Sequence, residues 1–223
     1  MSWVITGSEK TPVDPQFTSV SLLLHGEGNT IVDSSGSPKI ITPVGQAATS
    51  TAEKKFGDRS IAFDGTGDGL SVAGMPIFGT RDFTVEYWVY NTRSSPSRYF
   101  IGSSGDVNTA GGIGIFWQAD NQFIVRINGL GGVEIFATPH ALSEWVHVAV
   151  TRQNTTVRLF FNGTLAGSVT KEGNITRAIA ALGYQTLSGA YDMQGYLDEV
   201  RITDGVARYT ANFTRPPAPF PDI

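Results

Sequence analysis

EWVHVAVTRQNTTVRLFFNGTLAGSV, residues 144–169, holds two apolar runs, and the second contains the pair Asn162–Gly163. Asn-Gly between strand-like residues is a strong signal for a two-residue β-hairpin, because both turn positions need a left-handed backbone that Asn and Gly tolerate. In the first run His147 falls on the same side as Trp145 and Ala149, the period of two expected of a strand. The stretch therefore reads as antiparallel strands.

The same pattern extends in both directions. DFTVEYWVYN (82–91) alternates, with Phe83, Val85, Tyr87 and Val89 on one face and Thr84, Glu86, Trp88 and Tyr90 on the other. SVSLLLHGE (19–27), RYFIGS (98–103), GIGIFWQA (112–119), QFIVRING (122–129), VEIFAT (133–138) and GYLDEVRITD (195–204) are further strand signals closed by Gly, Asn, Asp or Ser. SIAFDG (60–65) and GLSVAG (69–74) flank a GTGD turn, and GLGG (129–132) reads as a hairpin turn. TRAIAALGYQ (176–185) is ambiguous between strand and short helix, and GVARYTANF (205–213) fits one helical turn. About a dozen short strands with regular turn signals imply an all-β fold, a two-sheet antiparallel jelly-roll sandwich.

Composition agrees. The 223 residues are 40% hydrophobic and 16% charged, enough to bury one sizeable core and too apolar for a disordered chain. The net charge of −4 and the absence of any Lys/Arg run exclude a basic nucleic-acid-binding patch. No apolar run reaches the length of a membrane helix, and the first residues lack the basic start and apolar core of a signal peptide. There is no Cys, so disulfides and Cys-ligated metals are excluded. The Asn-x-Ser/Thr triplets at Asn154, Asn162, Asn174 and Asn212 are read as chance in a Thr-rich chain. Six of the 11 prolines lie in residues 1–17 and 216–223, which divides the chain into an extended N-terminal arm (1–17), one domain (18–214) and a Pro-rich tail (215–223). Both ends carry apolar residues, and at least one is expected to pack, on its own domain, on a sister subunit or on a larger assembly.

SIAFDGTGDGLSVAG, DFTVEYWVY, EWVHVAVTRQNTTVRLFFNGTLAG and GYLDEVRIT occur in that order. Together they resemble a laminin-G-like domain of the concanavalin A-like lectin/glucanase superfamily, over roughly residues 20–205. The resemblance implies a jelly roll, often with a structural calcium ion, used for binding in adhesins, carbohydrate-binding proteins and phage virions. LLLHGEGNTIVDSSG, VARYTANFT and the Pro-rich end are similar to bacteriophage and bacterial surface proteins.

Asp198 and Glu199 stand side by side in the last strand signal. On a regular strand they point to opposite faces, Asp198 with Tyr196, Val200 and Ile202, Glu199 with Leu197, Arg201 and Thr203. That geometry cannot flank one glycosidic bond, which needs two carboxylates facing each other at roughly 5 to 9.5 Å. Catalytic members of the superfamily resemble Glu-x-Asp-x-x-Glu on one strand, and Asp82-Phe83-Thr84-Val85-Glu86 lacks that spacing. The expectation is a chain that is not an enzyme. Two readings of Asp198 stay open: a carboxylate that caps backbone N–H groups, or a calcium ligand with Glu27 and Asp64 from Gly-rich turns, as the resemblance would bring these segments together. Trp117, Tyr99 and Tyr191 could form an aromatic sugar platform or pack the sandwich. His25, His140 and His147 show no metal spacing, and His147 reads as a satisfied core or interface residue.

The expected role is a non-enzymatic structural or binding module: a virion surface protein, such as a capsid decoration or a tail or fibre component, in an oligomeric assembly with other virion or surface proteins. The alternative is a lectin-like carbohydrate-binding module of a bacterial surface protein. Cell-surface glycans are the expected ligand class; nucleic acid and membrane are not expected partners.

Overall fold

Alternation of apolar and polar residues builds two antiparallel sheets whose apolar faces meet. The computed structural model describes residues 13–93, 98–105, 108–118, 122–127, 132–138, 140–186 and 191–223. In chain order the strands are β1 (Val20–Leu24), β2 (Ile40–Val44), β3 (Ala48–Ser50), β4 (Ser60–Asp64), β5 (Gly69–Ala73), β6 (Phe83–Asn91), β7 (Arg98–Ser103), β8 (Ile113–Gln118), β9 (Gln122–Ile127), β10 (Val133–Ala137), β11 (Trp145–Gln153), β12 (Thr156–Phe161), β13 (Thr164–Thr170), β14 (Ile179–Leu182) and β15 (Gln194–Asp204). One sheet runs β13-β12-β11-β6-β15-β4-β3, with β1 also beside β15; the other runs β10-β9-β8-β7-β14-β5-β2. This is the expected jelly-roll sandwich. The only helical element among the described residues is the 3-10 turn Phe17–Ser19, and no helix there is long and apolar enough to cross a membrane.

The core sits between the sheets. Phe83, Val85, Tyr87 and Val89 of β6 face it, with Val146, Val148 and Val150 of β11 and Leu197, Val200 and Ile202 of β15. The Asn162–Gly163 turn forms as expected: Phe161 pairs with Thr164, and the two turn residues have φ of 50° and 81°. The ambiguous segment is a strand, β14. β2 and β3 carry no recognisable signal, because both are largely exposed edge strands and β2 contains Pro43, which an edge tolerates. The GTGD turn carries the chain from β4 in one sheet to β5 in the other. Most of the GLGG segment lies outside the described residues.

GVARYTANF does not form a helical turn. Residues 205–213 run as irregular, bent chain over the larger sheet, held by bonds to it: Arg208 N–H to Thr84 Oγ1 (2.9 Å), Thr151 Oγ1 to Tyr209 O (2.8 Å) and Phe213 N–H to Gly163 O (2.9 Å). These long-range partners outcompete the local bonds of a single isolated turn. The tail then seats Phe220 against Val20, Leu23 and Phe17, and Ile223 O accepts the N–H of Asp14 at 2.8 Å. The arm is thus tied to its own domain at Asp14 and Phe17 and the tail at Phe220 and the Ile223 carbonyl, while 217–219 and the Ile223 side chain are exposed; residues 1–12 of the arm lie outside the described residues.

Candidate functional site

The outer face of the larger sheet is where the polar half of the β6 alternation points, and it is divided in two. One half is covered. Glu86 Oε1 accepts Arg201 Nε (2.9 Å), while Oε2 accepts the Tyr209 hydroxyl (2.9 Å) and lies 3.2 Å from His147 Nε2. Arg208 grips both oxygens of Asp14 (3.0 and 2.7 Å), and Arg201 reaches Asp14 Oδ2 (3.1 Å) while lying 3.8 Å over the Phe220 ring. Burial pushes the Glu86 carboxyl up, but Arg201, with help from His147 and Arg208, more than offsets it and holds the group at about 2. Burial and the Glu86 charge raise the Tyr209 phenol. These charges face the tail, are buried and are mutually satisfied: they fasten the chain's own ends rather than present chemistry to solvent.

β15 contains the feature that the regular-strand reading missed. Asp198 pairs with Trp88 and Arg201 with Glu86, so Glu199 and Val200 together oppose Tyr87 alone. This is a β-bulge, with Glu199 at φ 50°. It turns Val200 into the core and leaves both Asp198 and Glu199 on the outer side, correcting the opposite-face expectation. The bulge also marks where β15 changes its edge partner, from β4 (Gln194 to Leu197) to β1 (Val200 to Thr203). Asp198 Oδ2 accepts the N–H groups of Lys55 (2.9 Å) and Phe56 (3.1 Å), and Oδ1 accepts that of Glu199 (2.9 Å). The capping reading of Asp198 is therefore the one realised. Glu199 bonds His25 Nδ1 (2.9 Å) and the Phe220 N–H (2.6 Å). Burial, reinforced by the Glu199 charge, outweighs the N–H bonds and pushes the Asp198 carboxyl up to about 7. Burial pushes His25 down, but Glu199 prevails and raises it. Neither carboxyl is open to a substrate, at 0% and 1% exposure.

The other half of the face is open. Trp145 pairs with Tyr90, and Tyr90 with Tyr196, forming one row across β11, β6 and β15. All three rings are half-buried, with centroids 5.6 and 6.0 Å apart and planes turned by 57° and 70°. The next strands place only Ala62 and Ala48 in that row. Beside these small residues lies a cleft of about 540 Å³ lined by Gln46, Asp64, Asp68, Thr92, Gln194 and Tyr196 among others. Asp68 braces its wall, accepting the N–H groups of Gln46 (2.5 Å) and Asp64 (2.9 Å); Asp64 Oδ1 accepts that of Thr66 (2.7 Å). A row of aromatic faces ending at carboxylate, amide and hydroxyl groups suits a ligand with apolar faces and a polar rim.

A laminin G family model, described as the concanavalin A-like lectin/glucanases superfamily, matches residues 64–208. The chain belongs to this superfamily. Among solved structures it is similar to the binding domain of Paraclostridial Mosquitocidal Protein 1 (TM-score 0.68, 15% identity, 87% of this chain and 50% of that one). It is also similar to domain 4 of AbnA, a GH43 extracellular arabinanase from Geobacillus stearothermophilus, in complex with arabinotriose (0.66, 18%, 85% and 94%). A third is the botulinum neurotoxin serotype D binding domain (0.67, 16%, 87% and 50%). The chain thus spans about half the length of the two toxin chains. At these identities the likeness is one of fold. Curated protein sequences give no match.

Superfamily membership carried the expectation of calcium on Glu27, Asp64 and Asp198. These residues do not fit the ion as one ligand set. Asp64 lies in the cleft, whereas Asp198 is buried at the bulge and committed to three peptide N–H groups. Glu27 sits against Gly57. Among the described residues no three His, Asp or Glu side chains gather around a point that could hold a metal ion. Of the expected aromatic platform, Trp117 is in the core and Tyr99 packs with Phe116 and Ile124; only Tyr191 is exposed. His140 is buried against Phe100, Trp117, Phe123 and Phe161, and burial pushes it down to about 4. The strip that is open went unrecognised because its three rings come from three strands; only Tyr90 on the polar face of β6 hinted at it.

Proposed function

We propose that this superfamily member is a carbohydrate-binding module, with the Trp145–Tyr90–Tyr196 strip and its adjoining cleft as the binding site. The observation that carries the reading is this row of half-buried rings on the open half of a sheet face whose other half the chain's own tail covers. Sugar rings offer apolar C–H faces to aromatic rings and hydroxyls to carboxylates and amides, the two kinds of group found here. The likeness to an arabinanase domain solved with arabinotriose and to toxin binding domains supports the same reading. The role is binding rather than hydrolysis: the adjacent carboxylates Asp198 and Glu199 are sealed and engaged, and cannot flank a glycosidic bond. The similarity of LLLHGEGNTIVDSSG, VARYTANFT and the Pro-rich end to phage and bacterial surface proteins supports a module carried on a virion or cell surface, where binding glycans would give adhesion.

Purified protein on an array of plant, bacterial and animal glycans tests the proposal. Binding is expected, without release of reducing ends, and Tyr90→Ala should weaken it at least roughly tenfold, about 1.4 kcal/mol of lost ring contact. Retention of no glycan, or retention indifferent to Tyr90→Ala and Tyr196→Ala in variants that melt cooperatively, overturns it.

A further inference from the structure

Resting on that reading, we infer that the ligand is a neutral, linear oligosaccharide that twists along its length, lying with successive units over Trp145, Tyr90 and Tyr196 and its next unit in the cleft.

Three observations carry this. The rings follow one another at 5.6 and 6.0 Å, a step comparable to what one sugar unit adds to an extended chain, so each ring serves its own unit. Their planes are turned by 57° and 70° from one to the next. A flat ribbon, such as a cellulose chain in its sheet, cannot lie on three planes so rotated; a chain that turns from unit to unit can. At the end of the row Ala62 leaves the space that a fourth large side chain would fill, and among the described residues no Lys or Arg lines the cleft there.

Charge decides the ligand class. Asp64 and Asp68 line the cleft, and the groups bonded to them are the backbone N–H groups of Thr66, Gln46 and Asp64, which leave the negative charge uncancelled. Arg93 at the margin is directed to Gln194 Oε1 (3.4 Å). A uronate, sulfate or sialic acid entering the cleft would meet two carboxylates at close range, which disfavours it. A neutral unit instead offers hydroxyl donors to the carboxylates and finds both donor and acceptor in Gln46 and Gln194.

Isothermal titration calorimetry with four probe series tests the inference: xylan-type and arabinan-type oligosaccharides of one to five units, cellohexaose, and the anionic probes sialyllactose and oligogalacturonate. Affinity for at least one twisting neutral series should rise with each unit to three or four and then level. It should fall at least roughly tenfold in Tyr196→Ala, and the anionic probes should bind at least roughly tenfold more weakly. Ala62→Gln, which fills the cleft beside Tyr196 and leaves Trp145 and Tyr90 as they are, should cost the fourth unit's increment most and the units over Trp145 and Tyr90 least. Preference for an anionic probe, equal binding of cellohexaose, or a plateau at one unit overturns the inference while leaving carbohydrate binding standing. Binding of no probe and no glycan on the array overturns both.

Discussion

Asp198→Asn isolates the buried carboxyl at the bulge. An ordinary aspartate titrates near 3.8, whereas burial beside Glu199 carries Asp198 to about 7. Between these values the folded chain holds a proton that the unfolded chain has released. Stability therefore falls as pH rises through this window, and the whole interval is worth about 4 kcal/mol. Glu86 acts in the opposite sense and elsewhere: held at about 2 against an ordinary 4.5, it stabilises the fold above pH 4.5 and that contribution fades below it. His25, raised above 6.5, stabilises fully below that pH and less as pH rises through its own titration. Wild-type stability should thus peak on the acid side, near pH 4 to 5, and decline toward neutrality. In Asp198→Asn the side-chain carbonyl still accepts from Lys55 and Phe56, but nothing titrates, so the decline between about pH 4 and 7 should vanish while any His25 decline above it persists. Urea unfolding at half-unit pH steps, read by Trp fluorescence, measures this. A wild type whose stability is flat or rises from pH 4 to 7, or a variant that falls as steeply, refutes the account of Asp198.

Glu86→Ala leaves the buried Arg201 to Asp14 and strips the bonds to His147 Nε2 and the Tyr209 hydroxyl, and should destabilise by about 3 to 5 kcal/mol in urea unfolding. Gly163→Ala places a Cβ at 1.9 Å from Phe213 O at a φ of 81°, so it should cost more than about 1 kcal/mol and loosen the tail, read as a lower melting temperature with faster proteolysis after residue 204. Because Glu27, Asp64 and Asp198 do not form one ligand set, calcium should leave the melting temperature unchanged; a rise that Asp64→Asn abolishes would show that a site exists there after all.

The sandwich was legible because its signals are local. Strict alternation in β6 sorted Phe83 to Val89 inward and Thr84 to Tyr90 outward, and Asn162–Gly163 set the register of β12 against β13. The bulge was not legible, since its left-handed residue is Glu199 rather than Gly or Asn. The position is fixed by tertiary contacts: the Asp198 carboxyl takes the Glu199 N–H, and β15 changes partner there. A shift of one residue reverses every face assignment beyond it, so one unmarked bulge reversed the reading of Asp198 against Val200 and Ile202. Outward aromatics were likewise ambiguous. Trp88 and Tyr90 lie on one face two residues apart, yet Trp88 is sealed by Lys55, Phe56 and Arg215 while Tyr90 is half-open. Only the paths of two distant segments, the connection between β3 and β4 and the tail, distinguish them.

The tail's path links the buried charges to the open strip. The tail is fixed at Gly163 through Phe213, at Arg201 and Leu23 through Phe220, and at Asp14 through Ile223, and its course covers Thr84, Glu86 and Trp88. A hydrophobic tail on a hydrophobic face could slide. Here a shift would strand Glu86 or Asp14 away from its arginines, and burying an uncompensated charge costs several kcal/mol. The cluster therefore adds less to stability than to position: it holds the tail in one register. In that register the tail stops short of the row formed by Trp145, Tyr90 and Tyr196. The same charges that fasten the chain's ends thus hold the tail off the aromatic strip.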